Sequence, residues 1–114
     1  MNILVVGNGG REHAITCKLR QSPNAEKIFV ASGNAGTSQI AKNISIAATD
    51  VEGLLRFAEH EDIDLTVVGP EAALAAGIAD RFREAGHMIF GPTQGAAQIE
   101  TSKGFAKRLM ARYG

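Results

Sequence analysis

The chain has 114 residues, of which 45% are hydrophobic, 21% charged and 5% aromatic, a composition that suits one globular domain. Twelve Lys and Arg balance twelve Asp and Glu, so the formal net charge is zero, which argues against a broad nucleic-acid footprint but not against one small anionic ligand. No apolar run approaches the ~18 residues of a membrane span, no basic segment precedes the first apolar run, and the single Cys17 excludes an internal disulfide or a cysteine metal cluster. A reducing cytoplasm is the expected compartment.

Ile3-Leu4-Val5-Val6, ended by Gly7, is a continuous apolar run of the kind found in strands buried on both faces. Arg11 to Gln21 follows as a helix with a weak apolar stripe of Ala14, Ile15, Cys17 and Leu19, stopped by Ser22-Pro23-Asn24. Lys27 to Ala31 reads as a second strand and Asn43 to Ile46 as a third. Thr49 with Glu52 matches a capping box, which predicts a helix from there to about His60 with Leu54, Leu55 and Ala58 inward. Leu65 to Val68 is a fourth strand. Glu71 to Ala85 reads as one alanine-rich helix closed by Gly86 as its C′ glycine. His87 to Phe90 is a fifth strand, and Thr93 to Tyr113 reads as a short helix and then a longer one. The last of these, Gly104 to Tyr113, carries Phe105, Leu109 and Met110 on one side with nothing after it to pack on, so the chain is expected to be the front of something longer.

Alternating strands and helices predict an open, mostly parallel α/β sheet of about five strands, Rossmann-like, with helices on both faces. Ligands of such sheets bind beyond the carboxyl ends of the strands. Four loops fall there: Gly7 to His13, Gly33 to Thr37, Gly69-Pro70-Glu71 and Gly91-Pro92-Thr93. In the first, glycines let a ligand approach closely, and a helix opens behind them with its free N–H groups and positive dipole end, which suits a phosphate. Arg11 in that first turn is unfavourable unless it meets an anion, whereas Glu12 is favourable there for dipole reasons alone. Gly7 and Gly9 fit the dinucleotide pattern G-x-G-x-x-G, but Glu12 stands at its third glycine and no acid follows the second strand, which counts against NAD. His13 reads equally as a ligand contact or a packed residue. Glu71 reads either as a helix-start carboxylate or as an acceptor for sugar hydroxyls or an amine. Cys17 reads as a small core residue, His60 and His87 as structural or solvent-facing, and no His, Asp or Glu spacing makes a metal site.

The runs Val6 to Ala14, Gly33 to Thr37, Val68 to Glu71, Phe90 to Thr93, and Glu100 to Lys103 with Phe105-Ala106-Lys107 resemble the phosphoribosylamine–glycine ligase family, in order and along the whole chain. The run Arg11-Glu12-His13 favours that family over other purine-pathway enzymes of the ATP-grasp superfamily. Ser32 and Ala73 stand where the family often has proline, and Thr101 where it often has a small residue.

The resemblance implies a ligase of de novo purine synthesis in which ATP and Mg2+ (or Mn2+) activate glycine as an acyl phosphate, which phosphoribosylamine attacks to give glycinamide ribonucleotide, ADP and phosphate. It implies a substrate-binding domain over 1–100 and, over 101–114, a helix leading into an ATP-grasp domain that is absent, as is a C-terminal domain. Gly7, Asn8, Gly9, Gly10, Arg11 and Glu12 would line the phosphoribosylamine pocket, Glu71 would contact its ribose hydroxyls or amine, and Gly33 and Asn34 would sit at the rim. Lys103 would approach the ATP phosphates. No residue of the fragment is assigned a proton-transfer role, and the fragment is expected to be inactive alone, with no nucleic-acid or membrane partner. A non-catalytic module for a sugar phosphate or mononucleotide is the alternative reading.

Overall fold

The computed structural model describes residues 1–91. Five strands among them form one all-parallel sheet: β1 (Asn2–Gly7), β2 (Lys27–Ser32), β3 (Lys42–Ile44), β4 (Leu65–Val68) and β5 (Ile89–Phe90), in the order β3-β2-β1-β4-β5. The helices are α1 (Gly10–Arg20), α2 (Val51–His60), α3 (Glu71–Ala75) and α4 (Ile78–Glu84), with a 3-10 turn at Thr37–Gln39. The expected helices over Thr93 to Tyr113, and Lys103 with them, lie outside the described residues.

Strand periodicity divides the core. Leu4, Val6, Phe29, Ala31 and Val68 face α2, α3 and α4. Ile3, Val5, Ile28, Val30, Leu65 and Val67 face the other side, where Leu19 and Ile15 of α1 cover them. Successive side chains of a strand point to opposite faces, so a strand covered on both must be apolar throughout. Ile3, Leu4, Val5 and Val6 are accordingly all fully buried. Thr66 is the polar exception within β4, and its buried hydroxyl has no partner among the described residues.

Several elements differ from their sequence-based expectation. The buried residues of α1 are Glu12, Thr16 and Leu19, whereas Ala14 is exposed. The spacing of four and then three places them on one helix face, and the Thr16 hydroxyl is satisfied by the Glu12 carbonyl at 2.7 Å. The cap of α2 is Asp50 rather than Thr49, its Oδ1 accepting from the Gly53 N–H at 3.1 Å. Glu52 does not reach back to close a capping box. Its carboxylate instead takes both Nε (2.8 Å) and Nη2 (3.2 Å) of Arg81 on α4. That hydrogen bond, with the charge of Glu52, raises the Arg81 guanidinium further above its usual value. The pair is exposed and fixes geometry more than stability.

Glu71 to Ala85 is two helices, not one. Gly77, at φ 87°, ends α3 and restarts the chain as α4. Ala73 and Ile78 are both buried against the sheet. Five residues along one continuous helix would set them about 140° apart, so the left-handed glycine restores a common facing. Gly86 is the C′ residue of α4, as expected, with φ 87°. Its N–H bonds Arg83 O at 3.0 Å and the His87 N–H bonds Phe82 O at 2.8 Å, which is the Schellman pattern. The His87 ring packs on Phe82 with centroids 5.8 Å apart. His87 is thereby consumed by the cap, which is why β5 begins only at Ile89. At the other edge, β3 stops at Ile44, because the Ile46 N–H turns back to the Ile44 carbonyl at 3.0 Å.

Asp50→Ala is expected to destabilise the chain by about 1 kcal/mol, with Thr49→Ala costing at most a few tenths, as measured by urea unfolding. Thr66→Val is expected to raise stability by roughly 1 kcal/mol, because it removes an unpaired buried hydroxyl without changing shape; a lower urea midpoint would contradict that.

Candidate functional site

Because the sheet is parallel, every strand delivers its following loop to one edge. Strand order reverses between β1 and β4, so the loops after these two strands flank the crevice in which ligands of such sheets are held. Three of the four glycine loops meet there. The Gly33 N–H bonds Gly7 O at 3.0 Å and the Gly69 N–H bonds Val6 O at 3.1 Å. In the fourth, Gly91 follows β5, while Pro92 and Thr93 lie outside the described residues.

The loop after β1 turns on Gly7, at φ 142°, and leads into α1 with Gly9 as N-cap. No side chain caps that helix start, and the first N–H groups of a helix have no partner within it. Asn8 and Gly10 are exposed and Gly9 half-buried. Arg11, exposed in the first turn, is the one Lys or Arg in the three loops that meet. The site therefore offers helix-start amides with no partner among the described residues, a positive dipole end and one guanidinium, all complementary to an anion.

Glu12 sits differently from its neighbours. Its side chain folds under the loop and is only 6% exposed. A Cβ on Gly7 or on Gly69 would overlap the Glu12 carboxylate, and one on Gly9 would lie 3.3 Å from its Oε2. Glycine at 7 and 69 is thus required by the close approach of a buried side chain. His13, left open by the sequence, packs its ring on Gly36, where a Cβ would lie 3.0 Å from it.

Gly33 and Asn34 belong to the same edge. The Asn34 carboxamide donates to Asn8 O at 3.0 Å and Gly9 O at 3.2 Å, and so ties the β2–β3 loop to the glycine loop. Thr37 and Asn43 hold Asn34 from below. Sequence reasoning had not singled out Asn43. The available signal was Gly33 itself, whose φ of 81° and missing Cβ make room for the Asn43 side chain. Glu71 is exposed as the first residue of α3, behind the N-cap Pro70. Cys17 is free and half-buried in mid-helix, and His60 is exposed at the end of α2. A groove of about 580 Å³ at the opposite, amino edge lies between Arg20, Lys27, Phe29 and Lys42, and no residue of the glycine loops lines it. No helix among the described residues is long and apolar enough to cross a membrane.

Fold and site together define a Rossmann-like α/β domain with glycine loops gathered at its switch point. A family model described as phosphoribosylglycinamide synthetase, N domain, matches residues 1–100, and the chain belongs to that family. The phosphoribosylamine–glycine ligase of Yersinia pestis is 60% identical over 99% of this chain and 27% of its own length. The enzymes of that name from Pasteurella multocida and Escherichia coli K12 are 58% and 56% identical over the same shares. The chain thus spans about a quarter of the curated relatives it matches. The crystal structure of the Thermotoga maritima phosphoribosylamine–glycine ligase is similar with TM-score 0.53 and 28% identity, over 100% of this chain and 25% of that one. A Mycobacterium tuberculosis structure described as glycinamide-RNase-transformylase T has TM-score 0.63 at 15% identity, over 99% of this chain and 35% of that one, a likeness of fold alone.

Gly69→Ala is expected to cost about 1–3 kcal/mol through overpacking against Glu12. The cost is expected to shrink in a Glu12→Ala background, as read by a double-mutant cycle in urea. Additive effects would show that Glu12 does not fill the space over Gly69.

Proposed function

We propose that the chain forms the phosphoribosylamine pocket of a phosphoribosylamine–glycine ligase of purine synthesis. The whole reaction would join phosphoribosylamine to glycine at the expense of ATP. The observation that carries this reading is the uncapped start of α1 behind Gly7 to Gly10, with Arg11 exposed beside it. The free amides and Arg11 would hold the 5′-phosphate, and Glu71 would accept from ribose hydroxyls or the amine. Glu12 would support the loop from beneath, and Gly33 with Asn34 would form the rim. A dinucleotide fits less well, because the place of its third glycine holds a buried carboxylate lodged against Gly7 and Gly69.

Positioning and charge neutralisation are the contributions such a domain makes to catalysis. No group of three His, Cys, Asp or Glu among the described residues is placed to hold a metal ion. The described residues therefore offer no site for Mg2+ or Mn2+. ATP, the metal and glycine are assigned to chain outside residues 1–91, Lys103 among it for the ATP phosphates. The partners proposed are the small-molecule substrates together with ATP-grasp and C-terminal domains of the same enzyme, in the cytoplasm.

The test is an amide chemical-shift titration with glycinamide ribonucleotide, the stable product, with NAD and ribose 5-phosphate as controls. Shifts at Gly9, Gly10, Arg11 and Glu71 with the ribonucleotide and none with NAD are expected. Arg11→Ala is expected to weaken that binding about tenfold or more, since a charge-assisted hydrogen bond is lost. Movement of the same loop with NAD alone would overturn the reading.

A further inference from the structure

We infer that Thr37 and Asn43 are positioning residues of the anion loop: they act through Asn34, and Asn34 serves the site by turning the Asn8 and Gly9 carbonyls away from it. The inference rests on the phosphate pocket proposed above, and goes beyond it by moving Asn34 from rim contact to loop support.

The hydrogen-bond accounting is closed. Asn34 Oδ1 accepts from the Thr37 N–H at 3.0 Å, which leaves Nδ2 to donate to Asn8 O at 3.0 Å and Gly9 O at 3.2 Å. A reversed carboxamide would set oxygen against two carbonyls and nitrogen against an N–H, so the orientation is determined. The Thr37 hydroxyl accepts from the Asn34 N–H at 2.8 Å. Its one proton has two acceptors in reach, Asn43 Oδ1 at 2.7 Å and Asn34 O at 3.0 Å. Asn34 O already accepts from Asn43 Nδ2 at 2.8 Å and from the Ser38 N–H at 3.1 Å, so the proton belongs to Asn43. That contact fixes the Asn43 carboxamide in turn. Thr37 is fully buried, so the chain of bonds is shielded from competing water at its centre.

The consequence falls on the loop. Peptide N–H and C=O groups point in opposite senses, so a loop that presents its amides to an anion must direct its carbonyls elsewhere. The Gly9 carbonyl accepts from the His13 N–H at 3.1 Å as well as from Asn34. The Asn8 carbonyl has Asn34 as its partner. Without that partner, the glycine-rich backbone is free to rotate its peptide planes and bring carbonyl oxygens toward the phosphate. The strand residue Asn43 and the buried Thr37 thereby set the electrostatics of a loop some thirty residues away in sequence.

Three near-isosteric substitutions in the 114-residue chain test this. Thr37→Val removes the hydroxyl, Asn43→Asp removes the donor to Asn34 O, and Thr37→Ser keeps the hydroxyl. In the free chain, Thr37→Val and Asn43→Asp are expected to displace the amide resonances of Asn8, Gly9 and Gly10 and to speed their hydrogen exchange. Leu4 and Val67 in the core should stay unchanged, and Thr37→Ser should restore the loop. With glycinamide ribonucleotide, the first two variants are expected to bind about tenfold more weakly and Thr37→Ser to bind like the parent. Unmoved loop amides in Thr37→Val and Asn43→Asp overturn the inference with or without ligand, and so does unchanged affinity alongside moved amides. If the parent chain fails to bind the ribonucleotide, the pocket reading falls, and the ligand-free amides alone decide whether Thr37 and Asn43 position the loop.

Discussion

All-parallel pairing is the constraint from which the rest of this domain follows. Parallel neighbours cannot be joined by tight hairpins, so each connection must cross over the sheet and cover a face of it. Both faces are then buried, which favours apolar residues at successive positions of the central strands, as in β1 from Ile3 to Val6, with Thr66 of β4 the exception. Every strand also ends at the same edge. The glycine loops after β1, β2 and β4 therefore meet without any sequence proximity between them.

That edge is braced by two polar side chains, Glu12, which is buried, and Asn34, which is half-buried. Glu12 lies beneath the glycine loop, in the space that the missing side chains of Gly7 and Gly69 leave. Asn34 crosses from the neighbouring loop and takes the carbonyls of Asn8 and Gly9. The Asn34 carboxamide is held in one orientation by its donors and acceptors, and Glu12 is held by the close packing of Gly7 and Gly69 around it. The two side chains thus brace the glycine run, which has Arg11 as its local cation. Substrate recognition in this reading depends on backbone groups, and their orientation depends on residues that need not touch the substrate.

The helices show how local signals are overridden by packing. Ala72 to Ala76 has every reason to continue as a helix, and propensity alone supports one element to Ala85. Ala73 and Ile78 both need the sheet, however, and Gly77 supplies the break that lets them reach it. Glu52 stands at the right distance from Thr49 for a capping box, yet Arg81 of α4 offers it a guanidinium and Asp50 takes the cap. The α1 stripe was hard to read for a related reason: two of its three buried residues, Glu12 and Thr16, are polar. Hydrophobic periodicity is silent where the buried face of a helix is polar.

From sequence alone came the fold class, the strands β1, β2 and β4, the Gly86 stop, the glycine loops at the carboxyl edge of the sheet and the family they resemble. Each is encoded locally, by an apolar run, a glycine after a strand, or a motif at fixed spacing. Tertiary structure decided which of the loop residues face out and which face in. It sent Glu12 under the loop, set His13 against Gly36, drew Asn43 into the support of Asn34, and spent His87 on closing α4. These outcomes depend on partners far away in the chain, whose approach exists only once the sheet has brought its strand ends together.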